Sequence, residues 1–216
     1  MGKYILGCGA LLLIGLIILV LAVGGFWIST YNNLVTQKQS VDSTWAEVQN
    51  QYQRRADLVP QLVGTVSGAA NFEKSTLIAV TDARASVGQV KLDPDHAPTN
   101  QADLDKYQAA QNSLGNALSR LLVVSENYPN LKSNQNFLDL QAQLEGTENR
   151  IATARYGFNQ AAQGYNPAIA RIPANLVANF SGFTARPYFQ AKEGADAAPL
   201  VHFDFNNPTT NAAPSH

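Results

Sequence analysis

The chain has 216 residues, a length that accommodates one folded domain with appendages. Fifteen Lys and Arg residues against 16 Asp and Glu residues leave a net charge of −1, which excludes the strongly basic surface of a nucleic-acid-binding protein. Charged residues make up only 14% of the chain, and the single Cys excludes an internal disulfide framework and a cysteine-based metal cluster.

The first predicted element is a membrane-spanning helix over residues 5–28, preceded by a short tail of residues 1–4. The span carries no charged residue. A helix of this length is about 36 Å long, which is enough to cross the hydrocarbon core of a lipid bilayer, about 30 Å thick. Lys3 precedes the span and Lys38 is the nearest charge after it, which favours an N-terminus in the cytoplasm. Two alternatives stay open, cleavage of the span as a signal peptide and lipidation of Cys8.

The helix that follows the span carries a sevenfold apolar pattern, which places its apolar side chains on one stripe. The stripe comprises Leu34, Val41, Trp45, Val48, Tyr52, Val59 and Val66. Pro60 lies within the pattern, and because a proline removes a backbone donor and clashes with the preceding turn, a kink or break near residues 57–59 is predicted. A second helix is predicted from Asn71 to about Lys91, followed by a loop over residues 92–100.

Two further helices complete the predicted domain, which covers residues 30–189. The third is predicted to stop at Tyr128, because a residue before proline avoids the helical conformation. The fourth, predicted to end before Pro167, has the clearest heptad pattern, formed by Phe137, Leu144, Ile151, Phe158 and Tyr165. Helices of these lengths joined by short loops predict an all-α fold, a long antiparallel four-helix bundle with an irregular C-terminal segment.

The irregular segment is apolar and aromatic, and proline and glycine residues prevent it from forming one long helix. If the bundle runs up and down, its last helix points back at the membrane. The candidate membrane-proximal residues are Ile172, Leu176, Phe180 and Phe183. Packing against the base of the bundle is the alternative role for these side chains. Residues 190–216 are predicted to be mostly irregular or disordered, with a possible short strand over residues 201–205.

No motif in the sequence indicates a catalytic, metal or cofactor site. The three histidines lie in the predicted loop and the tail, without the helical spacing that metal sites use. The candidate interaction residues are Arg54, Arg55 and Asp57 on the first helix of the bundle, together with Glu148 and Arg150 on the last. An ion-pair network across the bundle would join them, either to fix helix register and solubility or to bind a partner.

From residue 31 to residue 205 the sequence resembles the LemA family. The motifs that carry the resemblance are RRADLVPQLV at 54–63, NFLDLQ at 136–141, ENRIATAR at 148–155, and YN at 165–166 followed by PANL at 173–176. The resemblance implies a bacterial protein with one N-terminal membrane helix and an extracytoplasmic antiparallel helical bundle. The family has no established enzymatic activity and supplies no catalytic residues. Association of some members with membrane metalloproteases or TPM-domain membrane proteins implies an accessory or scaffold role.

These observations predict a non-enzymatic scaffold or interaction protein of the bacterial envelope, without cofactor, metal or nucleic acid. It would be a single-pass protein of the inner (cytoplasmic) membrane with its bundle in the periplasm or on the cell exterior. Self-association as a homo-oligomer is favoured, since tethered copies meet at high local concentration. The alternative function is an accessory adaptor that regulates a membrane protein partner, such as a membrane metalloprotease.

Overall fold

The computed structural model describes residues 2–68, 72–93 and 95–190, with side chains from residue 13 onwards. All regular secondary structure in this part of the chain is helical, which confirms the all-α prediction. The helices are α1 (Gly2–Ser67), α2 (Lys74–Gln89), α3 (Gln101–Ser125), α4 (Pro129–Lys132), α5 (Gln135–Ala170) and α6 (Ala174–Phe180). The short helices α4 and α6 are additional to the predicted ones.

Helix α1 has 66 residues and is therefore about 99 Å long. Its N-terminal part is long and apolar enough to cross a membrane, and the large apolar side chains between Leu13 and Ile28 are exposed, apart from the partly buried Trp27. From Leu34 onwards one face of the same helix is buried, including every member of the predicted stripe. One uninterrupted helix thus joins the apolar stretch to the core of the domain.

Helix α1 continues through Pro60, so of the predicted kink or break near residues 57–59 the break is wrong, and the kink stays a prediction. A proline at position 60 leaves the carbonyl group of Ala56, four residues earlier, without its helical donor. Arg84 on α2 supplies a replacement, since its Nε donates a hydrogen bond to the Ala56 oxygen at 3.0 Å. The proline ring itself lies on an exposed face, where it displaces no packed neighbour.

The long helices form two antiparallel pairs, α1 with α5 and α2 with α3. In the first pair the Trp45 ring contacts Phe158 at 5.7 Å between centroids. In the second pair the rings of Phe72 and Tyr128 meet at 4.8 Å, so the start of α2 lies beside the end of α3. Two apolar clusters form the core. One contains Trp45 and Phe158, and the other contains Leu58 of α1 and Leu144 of α5. All five apolar heptad residues of α5 are buried in them.

Several predicted boundaries differ from the observed ones. Helix α2 begins at Lys74, and Asn71 lies outside the described residues. Helix α3 ends at Ser125, before the predicted stop at Tyr128. Helix α5 runs through Pro167 to Ala170, because the proline frees only the carbonyl group of residue 163, which lies on a face open to water. The described residues of the loop over 92–100 are irregular, as predicted.

A glycine reverses the chain after α6. Gly182 has a φ of 73°, a conformation that costs least for glycine. Its N–H bonds to the Asn179 oxygen at 3.4 Å, and the N–H of Phe183 bonds to the Ala178 oxygen at 3.0 Å, which is the Schellman pattern of helix ends. The chain then returns along the domain as an extended segment, residues 183–190.

Candidate functional site

A polar layer separates the two apolar clusters of the core. It consists of Arg55 from α1, Gln111 from α3 and Glu148 from α5, each placed between apolar neighbours on its own helix. The Arg55 Nη1 lies 3.0 Å from Glu148 Oε1, and its Nη2 donates to the main-chain oxygen and side-chain Oε1 of Gln111 at 2.8 and 2.5 Å. Arg55 is only 4% exposed, so three helices share one buried cation.

Two tyrosines flank the polar layer. The Arg55 guanidinium lies 5.1 Å from the centre of the Tyr52 ring, and the Tyr52 and Tyr107 rings meet edge to face at 5.5 Å. Burial raises the pKa of Tyr52, opposed by the positive charges of Arg155 and Arg55. Burial, with a contribution from Tyr52, raises the pKa of Tyr107 to about 12. Both rings are therefore neutral at physiological pH.

The structure unites two of the five predicted interaction residues, Arg55 and Glu148. Arg54 is exposed on the other side of α1, and Asp57 accepts a hydrogen bond from Gln53 on its own helix at 2.7 Å. Arg150 is also exposed and lies two residues beyond Glu148 on a different face of α5. Because residues one or two positions apart do not share a helix face, Arg54 and Arg150 lie away from this contact. Among the five predicted residues, Arg55 and Glu148 therefore form the one ion pair between helices.

A second buried ionic contact lies nearer the apolar stretch and was not predicted. Asp42 and Arg186 are both 5% exposed, and their side chains approach to 3.6 Å. The Asp42 carboxylate also accepts the main-chain N–H of Ala97 at 2.9 Å, while Arg186 donates to the Ala97 oxygen. Lys38 adds a 3.0 Å ion pair with Asp42 from the half-exposed side. Helix α1, the loop before α3 and the extended segment are thereby joined at one point.

Two asparagines of α5 hold the backbone of the extended segment. The Asn166 amide donates to the Arg186 oxygen at 2.9 Å and accepts the Arg186 N–H at 2.8 Å. Asn159 makes the same pair of bonds to Phe189, both at 2.9 Å. Seven helical residues rise about 10.5 Å and three extended residues about 10 Å, so the two spacings match. In the sequence, Asn159 and Asn166 are seven positions apart and directly follow heptad residues of α5. This spacing is the signal from which the arrangement could have been predicted.

An open groove follows the extended segment between α3 and α5. Its volume is 590 Å³, and Tyr52, Arg55 and Gln111 form part of its wall together with Arg155 and Glu148. It thus exposes the solvent-facing side of the polar layer. A second groove of 510 Å³ lies between α1 and α5, with Arg150 on its rim.

The predicted membrane-proximal residues lie at the end of the domain that adjoins the apolar stretch. The Phe180 ring contacts Trp27 at 5.5 Å, and the Phe183 ring contacts Tyr31 at 5.7 Å. Ile172 and Phe180 are each 84% exposed and Leu176 is 63% exposed, whereas Phe183 is partly buried. Three of the four side chains therefore form an exposed apolar surface beside α1, and one packs on the domain.

The buried polar groups of the described residues join segments of the fold by hydrogen bonds and ion pairs. In this part of the chain no group of three or more His, Cys, Asp and Glu side chains is placed to hold a metal ion. The buried Arg55 and Arg186 are fixed by hydrogen bonds, and the nearest tyrosines keep their protons at neutral pH. These arrangements can position helices and accept an extended chain.

The fold and these surfaces define a helical-bundle protein whose N-terminal helix could cross a membrane. The chain belongs to the LemA family, whose family model matches residues 44–203. Magnetosome protein MamQ 2 of Paramagnetospirillum magneticum is 31% identical over 186 residues, which cover 79% of this chain and 68% of the relative.

Two further relatives extend the comparison. Magnetosome protein MamQ of Magnetospirillum gryphiswaldense is 30% identical over the same shares of both chains. Protein LemA of Metamycoplasma hominis is 22% identical over 81% of this chain and 76% of its own length. The resemblance to the LemA family is thereby confirmed.

Proposed function

We propose that this LemA family protein is a non-enzymatic scaffold of the bacterial envelope, held by one span in the inner membrane and self-associating through its bundle. The N-terminus lies in the cytoplasm and the bundle in the periplasm or on the cell exterior. The observation that carries the proposal is the continuity of α1, which runs from the apolar stretch into the core without interruption. A flexible linker would leave the bundle free to reorient, whereas a continuous helix fixes its direction.

Self-association is supported by the groove between α1 and α5. Glu47 on one wall and Arg150 on the other provide opposite charges, so that a second copy related by a two-fold axis presents the complementary charge to each. Gly157 and Ala154 leave the floor open to an approaching helix. Copies tethered to one membrane need only weak contacts to associate, because their local concentration is high.

The exposed apolar surface at the base supports a second contact with the membrane. Trp27 stands at the end of the apolar stretch, the position where aromatic rings collect at headgroup level. Since Phe180 contacts this ring, Phe180 and its neighbours Ile172 and Leu176 reach the same level. Seating them in the interface would fix the tilt of the bundle relative to the bilayer.

The test is the mass of the full-length protein extracted in mild detergent, with every co-purifying chain identified. A homogeneous multiple of 23.3 kDa is expected. A monomer bound to one stoichiometric membrane protein would overturn self-association in favour of the adaptor function. A monomer alone would overturn both.

The self-association surface is tested with Gly157→Leu. No atom lies within 4 Å of a Cβ placed at Gly157, so the substitution leaves the protomer intact while filling the groove. The mass of the extracted protein should then fall from a multiple of 23.3 kDa to that of a monomer. Gly88→Leu is the matched control, since its Cβ also meets no neighbour and its site on α2 lies outside the α1–α5 groove. An unchanged mass in Gly157→Leu, or equal loss in both variants, would exclude this surface.

A further inference from the structure

Helix α6 carries a bulky apolar face that no part of the described chain covers. Leu176 and Phe180 are four positions apart on this helix and therefore share one face, 63% and 84% exposed. Ile172, just before the helix, is also 84% exposed. On the opposite side Val177 and Ala178 are buried against the domain, each 1% exposed. Helix α6 is thereby held in place with its large apolar side chains directed outwards.

The surroundings of this face are almost free of charge. Helix α6 packs on α1 and α5, so the charges beside it are those of these two helices and of the segments that flank it. Residues 13–37 contain no charged residue. Residues 156–185 contain one, the exposed Arg171. A single cation therefore accompanies the three large apolar side chains.

The next charges along α1 lie well away from the face. Lys38 is eleven residues beyond Trp27, about 17 Å along the helix, and its ammonium group pairs with the Asp42 carboxylate at 3.0 Å. Asp42 is 15 residues beyond Trp27, or about 22 Å, and it also meets the buried Arg186. Since Phe180 contacts Trp27, these compensated charges are too distant to assist its contacts.

This composition determines which property of a bilayer the face can detect. Peripheral surfaces are held on a bilayer by burial of apolar side chains and by attraction of cations to anionic headgroups. A face with three bulky apolar side chains and one cation depends mainly on burial. Burial of bulky side chains requires gaps between the headgroups, and loosely packed lipids leave more of them.

On the basis of the membrane contact proposed above, we infer that the α6 face binds loosely packed phospholipid and does not select anionic lipid. Ile172, Leu176 and Phe180 enter gaps between headgroups on one side of α1. A single spanning helix can tilt, and insertion of these side chains favours tilt towards α6. Lipid packing therefore sets the fraction of molecules whose α6 face is inserted.

Quenching of a fluorophore by lipid-bound quenchers measures this fraction. The full-length protein carries the fluorophore on Leu176→Cys in a Cys8→Ala background and is reconstituted in three kinds of vesicle. The first contains palmitoyl-oleoyl phosphatidylcholine, and the second contains dioleoyl phosphatidylcholine, which packs more loosely. In the third, part of the first lipid is replaced by phosphatidylglycerol with the same chains. Quenching should rise about twofold from the first vesicle to the second.

The charge of Arg171 is separated from the effect of packing by Arg171→Gln. In this variant quenching should be equal in the first and third vesicles, in about 0.1 M and about 1 M salt, while the rise in dioleoyl phosphatidylcholine persists. Asn179→Lys, added to Arg171→Gln on the exposed side of α6, should introduce a response to phosphatidylglycerol that high salt removes. This control shows that the assay detects selection of anionic lipid.

Phe180→Ser tests the apolar side chains. Because the ring is 84% exposed, its removal should leave the helical circular dichroism unchanged, and the rise in dioleoyl phosphatidylcholine should be lost. An unchanged rise in this variant would overturn the inference.

The remaining outcomes separate this inference from the proposed function. Equal quenching of the parent protein in both phosphatidylcholines would overturn the preference for loose packing and leave the membrane contact intact. A rise with phosphatidylglycerol in Arg171→Gln would show selection of anionic lipid and also overturn the inference. A label that is quenched in none of the vesicles would overturn the membrane contact itself, and emission at short wavelength without quenching would assign the face to a protein partner.

Discussion

Arg54 and Arg55 are adjacent in the sequence and lie in opposite environments. The Arg54 side chain is exposed, whereas Arg55 is buried between two apolar clusters and bonded to Gln111 and Glu148. Burying a cation is unfavourable unless hydrogen bonds replace its lost hydration, and here the bonds of the two terminal nitrogens of Arg55 reach two other helices. The polar layer therefore stabilises one helix register, because a shift of Gln111 or Glu148 along the bundle would leave the Arg55 charge without that partner.

Arg55→Ala should reduce the free energy of unfolding by about 3 kcal/mol, since it leaves Gln111 without its buried donor and opens a cavity. Arg54→Ala, at the next residue, should change it by less than about 0.5 kcal/mol. Urea unfolding followed by circular dichroism measures both. Equal effects of the two substitutions would show that the polar layer contributes nothing specific.

Tyr107 predicts a loss of stability at alkaline pH. Its pKa is raised by burial from an ordinary value near 10 to about 12 in the folded protein. Below pH 10 both states keep the proton. Between pH 10 and 12 the unfolded chain releases it first, so stability falls by about 2 kcal/mol by pH 12. Tyr107→Phe should remove most of this loss in urea titrations across that range.

The matched control for Tyr107 is Tyr156→Phe. The Tyr156 ring is 64% exposed on α5, and its substitution should leave the alkaline loss unchanged. If Tyr107→Phe follows the same pH dependence as the parent protein, the buried hydroxyl is not the cause of the alkaline instability.

At the scale of elements, α1 shows how a helix can continue through an internal proline. The carbonyl group of Ala56 is bonded by the Arg84 side chain from α2, so the missing donor is replaced from a neighbouring helix. The same bond connects α1 with α2. A sequence pattern that sees only α1 predicts a break, because the replacement comes from 24 residues further along the chain.

A double-mutant cycle tests this replacement. Arg84→Ala should cost about 1 kcal/mol in the parent protein, since it removes one hydrogen bond to an otherwise unpaired carbonyl. In a Pro60→Ala background the residue-60 N–H bonds to Ala56, so Arg84→Ala should cost clearly less. Thermal or urea unfolding of the four proteins gives the coupling. Strict additivity would mean that Arg84 does not substitute for the proline's missing donor.

At the scale of the whole molecule, α1 and α6 together determine how the domain meets the membrane. From Leu13 to Phe26 the large apolar side chains of α1 are exposed, as a lipid-facing helix requires, and the exposed apolar residues of the α6 region lie beside the end of this stretch. Transfer of each such side chain out of water gains about 1–2 kcal/mol. The proposed contact of these side chains with the membrane interface therefore predicts their depth in the bilayer, which can be measured.

An environment-sensitive fluorophore on Leu176→Cys, in a Cys8→Ala protein reconstituted in vesicles, should emit at shorter wavelength and be quenched by lipid-bound quenchers. Tyr156→Cys is the control, because Leu176 and Tyr156 are 63% and 64% exposed and differ only in their distance along the domain from the apolar stretch. Identical spectra and quenching at both positions would contradict contact of the α6 region with the membrane.

Hydrophobic periodicity determined the helical class and the buried stripes of α1 and α5, and a run without charged residues determined the apolar stretch near the N-terminus, since each depends on residues close in sequence. The tertiary structure decided everything that joins distant segments. It placed Arg55 inside and Arg54 outside, carried α1 through Pro60 with the help of Arg84, and paired Asp42 with Arg186. The physical reason is that a charge or carbonyl group is stabilised by whichever partner the fold brings near, and the local pattern contains no information about that partner.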